Sequence, residues 1–137
     1  MSEQTKHLIV HHAAMAAIGG ICYNGMELLW RGRTHWSMFL VGGICFELIG
    51  RIHTRLWDRP LILRCALCSL AVTAVELVSG CIVNRWLGLG VWDYSGMRYH
   101  ILGQVCLAYS LLWMLLSAVA CPLYRMVNRM VERFFAL

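Results

Sequence analysis

The sequence predicts an all-α polytopic membrane protein, with about four transmembrane helices in a compact bundle. Three observations predict it. The 137 residues are 60% hydrophobic and 14% charged, where a soluble domain carries roughly a quarter charged residues. Four stretches reach the roughly 20 mostly apolar residues that a crossing helix needs. Arg and Trp gather at the junctions between those stretches, where such residues set topology and anchor helix ends. The formal net charge of +5 is therefore spread as a topology signal rather than gathered in a solvated patch. This argues against a nucleic-acid partner.

The length allows one bundle, so residues 1–137 read as a single transmembrane domain. The first expected span is 8–30, entered from a polar start that does not resemble a cleavable signal peptide. The second, 36–53, is the shortest and holds Glu47; the third is 61–86. A turn-rich aromatic loop, Leu87–His100, leads to the fourth, 101–127. If the termini share one side, that side holds Lys6, Arg51, Arg55, Arg59, Arg64, Arg125, Arg129 and Arg133. The opposite side holds only Arg31, Arg33, Arg85 and Arg98. The positive-inside rule then puts both termini in the cytoplasm, with a bacterial inner membrane as the default location. Trp30, Trp36, Trp86 and Trp92 would form an outer belt, with Trp57 at the inner interface.

A faint internal repeat is visible. Glu27, a Trp/Arg-rich junction and GGICFELIG from Gly42 parallel Glu76, a longer Trp/Arg-rich junction and GQVCLAYSL from Gly103. Two repeated helical hairpins would place a site between them, as in many transport proteins.

Residues spaced by three or four share a helix face. Ser69, Thr73, Glu76, Gly80 and Asn84 make one small-and-polar stripe on the third segment. His12, Ala16, Gly19 or Gly20, Tyr23 and Glu27 make another on the first. Gly43, Glu47 and Gly50 or Arg51 lie on the second, and Gly103, Ser110, Ser117 and Cys121 on the fourth. Lipid favours none of these faces, so all four should turn inward. An ionised carboxylate at the bilayer centre costs about 2.5–3.5 kcal/mol on insertion scales, so it must pair, protonate or face a wet cavity. Glu76 has no basic residue within one turn and is the leading candidate for a substrate-binding group. Glu27 precedes Arg31 by four residues and Glu47 precedes Arg51 by four. Ordinary intrahelical ion pairs therefore compete with a functional role for both.

Five of the seven cysteines lie inside apolar segments as small packing residues, and the Cys65–Cys68 CxxC lacks a second pair. His7 and His11 share a face, yet at a helix start where histidine simply meets water. No metal or cofactor is expected, and no nucleophile elbow, zinc-protease helix or P-loop suggests an enzyme. Asp93 is expected either to accept backbone N–H bonds in a turn or to pair with Arg85 or Arg98.

One resemblance follows from these residues. Glu27 after a glycine-rich first helix, Arg31-Gly32, Glu76, and Trp92-Asp93-Tyr94-Ser95 leading into Gly103-Gln104-Val105-Cys106-Leu107 with Ser110 and Trp113 resemble the CmpB-like family. Its members are labelled ABC-transporter permeases, and the animal transmembrane protein 229 proteins belong with them. The resemblance implies a compact multi-helix membrane protein and supports Glu27, Glu76, Asp93 and Ser95 as site candidates. The segment Arg33–Ser37 lacks the proline usual in the family.

The leading functional expectation is a small transporter or channel-like permease. Glu76, helped by Glu27 or Glu47, would bind a cation, proton or cationic solute, in a site lined by Thr73, Ser69, Asn84 and Ser110. Four short helices scarcely enclose a path alone, so a homodimer is expected. The alternatives are a non-catalytic membrane subunit docked on a membrane-protein partner, and a lipid-binding protein using the loop at Asp93 and Ser95.

Overall fold

The computed structural model describes residues 1–135. Helix α1 spans Glu3–Arg31, α2 Trp36–Arg55, α3 Leu61–Gly80 and α4 Leu107–Phe134. Local chemistry fixes the ends. The Ser2 hydroxyl accepts the Thr5 N–H at 3.1 Å to start α1. Gly32, at φ 70°, closes α1 by donating its N–H to the Leu28 carbonyl, a left-handed cap that suits glycine. The His35 ring accepts the Ser37 N–H at 3.2 Å and starts α2, and Pro60 opens α3.

Beyond Gly80 the third helix widens into a π-helical turn, Cys81–Trp86. The loop after it ends in a two-residue antiparallel ladder, β1 (His100–Ile101) against β2 (Val105–Cys106), with His100 opposite Cys106. Here the expected fourth span shifts. The helix begins at Leu107 rather than 101 and runs on to Phe134. Tyr99, Leu102 and Gly103 adopt positive φ, so residues 99–103 make a tight reversal and cannot belong to a right-handed helix.

Of the four expected spans, two are long and apolar enough to cross a membrane: Leu61–Trp86, mean hydropathy 2.1, and Leu107–Phe134, mean hydropathy 1.7. Only 33% and 11% of their apolar windows are buried within the protein. A core helix of a soluble protein would be mostly buried, whereas Leu70, Val78, Leu111, Leu115 and Val119 face outward. His11, His12 and Asn24 in α1, and Glu47 and Arg51 in α2, dilute the hydropathy of those two helices.

Small residues let the helices meet closely. Gly19 lies under Phe46, Gly42 under Tyr23, Gly43 against the Ala16 carbonyl and Gly50 against the Tyr124 ring. Three apolar clusters run along the bundle: Met15, Phe46, Tyr124, Val127 and Val131; then Val41, Cys45, Ile49, Cys68 and Val72; then Met38, Val83, Val91 and Trp92. The last joins the loop to the helices.

Candidate functional site

A cavity of about 320 Å³ lies between α1, α3, α4 and the loop. Tyr23, Glu27 and Arg31 follow one another at intervals of four on α1, so a single helix face supplies all three. Tyr109 and Trp113 do the same on α4, with Leu112 and Leu116 beside them. Glu76 comes from α3 and Tyr94 from the loop. Its walls are aromatic pairs. Tyr23 stacks on Trp113 at 5.9 Å with the rings 10° apart, and Tyr94 on Tyr109 at 4.8 Å and 12°.

Two carboxylates reach this cavity and differ in partners. Glu27 receives the Arg31 guanidinium at 2.7 Å through Nη2 and 3.2 Å through Nε. This is the intrahelical pair its spacing predicts, and Arg31 Nη1 also donates to the Val91 carbonyl at 3.2 Å. Glu76 is 5% exposed. It accepts one hydrogen bond, from Trp113 Nε1 to Oε1 at 3.0 Å, and forms no ion pair among the described residues. Burial, then the negative charge of Glu76, pushes the Tyr94 phenol above its ordinary range.

Glu47 does not join them. It faces α1, where Oε2 lies 3.0 Å from His12 Nδ1; Arg51 Nε of its own helix is 3.9 Å away, and Oε1 is buried without a partner among the described residues. Ser69, Thr73 and Ser110 do meet, but as a polar seam between α3 and α4 outside the cavity lining. The Ser69 hydroxyl donates to the Ser110 carbonyl, and the Thr73 and Ser110 hydroxyls lie 2.7 Å apart. Asn84, in the π-helical turn, holds the loop. Its Oδ1 accepts Val91 N–H at 2.7 Å, and its Nδ2 donates to Gln104 Oε1 at 2.8 Å. Trp92 Nε1 completes the anchor by donating to the Gln104 carbonyl at 2.9 Å.

Asp93 and Ser95 lie on the exposed side of the loop, away from the cavity. Asp93 Oδ1 accepts the Ser95 N–H at 2.8 Å, one of the two arrangements expected of it. Bonds from the Ser95 backbone and side chain hold the Asp93 carboxyl below its ordinary range. Among the described residues, no group of three or more His, Cys, Asp and Glu side chains is placed to hold a metal ion.

Sequence reasoning missed Tyr94, Tyr109, Trp113 and Arg31 as cavity walls. Aromatic residues at interfacial positions read as membrane anchors, and Arg31 read as topology. The usable signal was the four-residue spacing of Tyr23, Glu27 and Arg31, and of Tyr109 and Trp113.

A family model described as "Putative ABC-transporter type IV" matches residues 34–137, well over half of the chain. No solved structure matches it. The matched region contains Glu76, Tyr94, Tyr109 and Trp113, while Tyr23, Glu27 and Arg31 precede it.

Proposed function

The chain belongs to that ABC-transporter type IV family, and on this premise we propose a small membrane permease that binds an organic cation at Glu76. All four helices cross the bilayer in this reading, with both termini in the cytoplasm of a bacterial cell and the cavity toward the outer face. The observation that carries it is the pairing pattern. Arg31 already satisfies Glu27, which leaves Glu76 as the one cavity carboxylate free of a cationic partner among the described residues. Aromatic faces attract ammonium groups by about 0.5–2 kcal/mol each when desolvated, and two stacked pairs stand beside that carboxylate. A hard metal ion prefers six or more oxygen ligands, a donor set unlike rings and one free carboxylate. The cavity volume falls at the lower end of small-molecule sites, which run from roughly 300 Å³. Its mouth passes exposed Leu29 and Trp30, so a second copy packed there would complete the enclosure as a homodimer.

The test is uptake of labelled tetraethylammonium into liposomes holding the purified protein. Wild type should show saturable uptake, and Glu76→Gln should lower it at least tenfold with the helix content retained. Equal uptake by the two proteins would remove Glu76 as the binding group, and no saturable uptake by wild type would remove the permease reading. A stoichiometric co-purifying membrane protein and no uptake would instead favour a subunit role.

A further inference from the structure

We propose that the opposite end of the bundle carries a second site, for a phosphate-bearing anion, walled by Arg125 and Trp57 and backed by the buried charge of Arg64. It stands independently of the cation reading. Arg64, in the first turn of α3, is only 8% exposed. Among the described residues its Nε is buried with no hydrogen-bond partner, and Nη1 meets His53 Nδ1, at 3.4 Å. His53 Nε2 lies 3.0 Å from the Ser117 carbonyl. Nε2 therefore carries the ring proton, and Nδ1 of the neutral ring serves Arg64 as an acceptor without adding negative charge.

A second cation meets the same indole ring. The Arg64 guanidinium carbon lies 4.7 Å from the Trp57 ring centroid and that of Arg125 lies 4.5 Å from it. The two positive charges are thus no more than about 9 Å apart, within one Debye length. Neither has a carboxylate within salt-bridge distance among the described residues, and nearby Asp58 is spent on Arg59 at 3.9 Å. The first turn of α3 holds no acid and its N-terminus has no side-chain cap, so the helix adds positive potential at this end.

Arg125, Trp57 and His53 are among the walls of a cavity of about 210 Å³, and Arg64, which is not itself a wall, stands behind it against His53 and the Trp57 ring. The cavity has room for a headgroup phosphate, with acyl chains left outside. The Arg125 guanidinium can pair with phosphate through two parallel bonds, and the unneutralised charge of Arg64 behind the wall adds attraction for an anion. The same chemistry comes from two sources, a membrane phospholipid or a soluble phosphate.

Native mass spectrometry of the full chain in an uncharged detergent separates them. Phosphatidylglycerol should bind saturably and diacylglycerol with the same tails should not. Arg125→Gln should lower lipid occupancy about fivefold, the effect of one interfacial charge. Arg125 is exposed and forms no ion pair among the described residues, so this variant keeps the fold, and Arg64→Lys supplies a second probe of the buried position. Competition by millimolar inorganic phosphate would assign the site to a soluble ligand, and lack of competition to the lipid. Equal binding of the two lipids, or an equal loss in Arg129→Gln, would overturn the proposal in favour of a diffuse basic surface.

Discussion

Trp113 Nε1 donates a 3.0 Å hydrogen bond to Glu76 Oε1, so α4 fixes the orientation of a carboxylate carried by α3. The same indole stacks on Tyr23 of α1. One residue thereby ties three helices around the cavity, and the two contacts can be separated. Trp113→Phe keeps a stacking ring and removes only the donor. Hydrogen bonds to charged groups contribute about 1.5–3 kcal/mol, so the variant should unfold at lower temperature in detergent. Trp113→Leu loses the stacking as well and should lie lower still. Equal melting of wild type and Trp113→Phe would mean that the bond contributes nothing to the fold.

Glu27 and Glu76 should differ in their response to a second change at Arg31 despite sharing a cavity. Glu27→Gln leaves the Arg31 cation without its counter-charge, so binding of tetraethylammonium should weaken by roughly tenfold. Adding Arg31→Gln removes that stranded charge and should restore most of the affinity. No second-site change at Arg31 should rescue Glu76→Gln. Isothermal titration of these variants and of Arg31→Gln alone measures the coupling, and simple additivity at Glu27 and Arg31 would separate the pair from the binding site.

Two glycines give opposite stability predictions. A Cβ at Gly50 would overlap the Tyr124 ring, and overpacking of this kind costs about 1–3 kcal/mol. A Cβ at Gly25, inside α1, meets nothing within 4 Å. Alanine there should stabilise by about 0.5–1 kcal/mol through helix propensity. Thermal denaturation should therefore separate Gly50→Ala and Gly25→Ala in opposite directions from wild type.

The helices were legible because long, mostly apolar runs have few other solutions, and two of the four are apolar enough to cross a membrane. Their weak points were the segments where backbone conformation departs from the run. Leu102 and Gly103 sit in an apolar stretch that reads as helix, yet both adopt positive φ and end the loop instead. Glu76 was identifiable from its lack of a local cation, and Glu27 from its spacing to Arg31. That Glu27 and not Glu47 would share the cavity depended on how α1 and α2 rotate about each other. Close approach at Gly19, Gly42 and Gly43 sets that rotation, and a single sequence does not display it. Ser69, Thr73 and Ser110 were found as a polar set, but they bond across α3 and α4, Ser69 to the Ser110 carbonyl and Thr73 to the Ser110 hydroxyl, outside the cavity lining. Arg64 went unnoticed as a site because its burial arises from packing between α3 and the end of α2.

The loop anchored by Asn84 should respond to pH through Asp93. The Ser95 backbone and hydroxyl hold the Asp93 carboxyl below its ordinary value, so the folded protein favours the ionised form more than the unfolded chain does. The contribution is complete above the unfolded value, about 3.9. It fades as pH falls through the lowered folded value, where protonation removes the acceptor charge from the Ser95 N–H. Amide hydrogen exchange at Ser95 should show protection that is constant near neutrality and declines in acid, after correction for intrinsic rates. Asp93→Asn keeps an oxygen able to accept the same bond, so its protection should be lower near neutrality and independent of pH across that window. A wild-type profile as flat as that of Asp93→Asn would show that the turn does not depend on the charge.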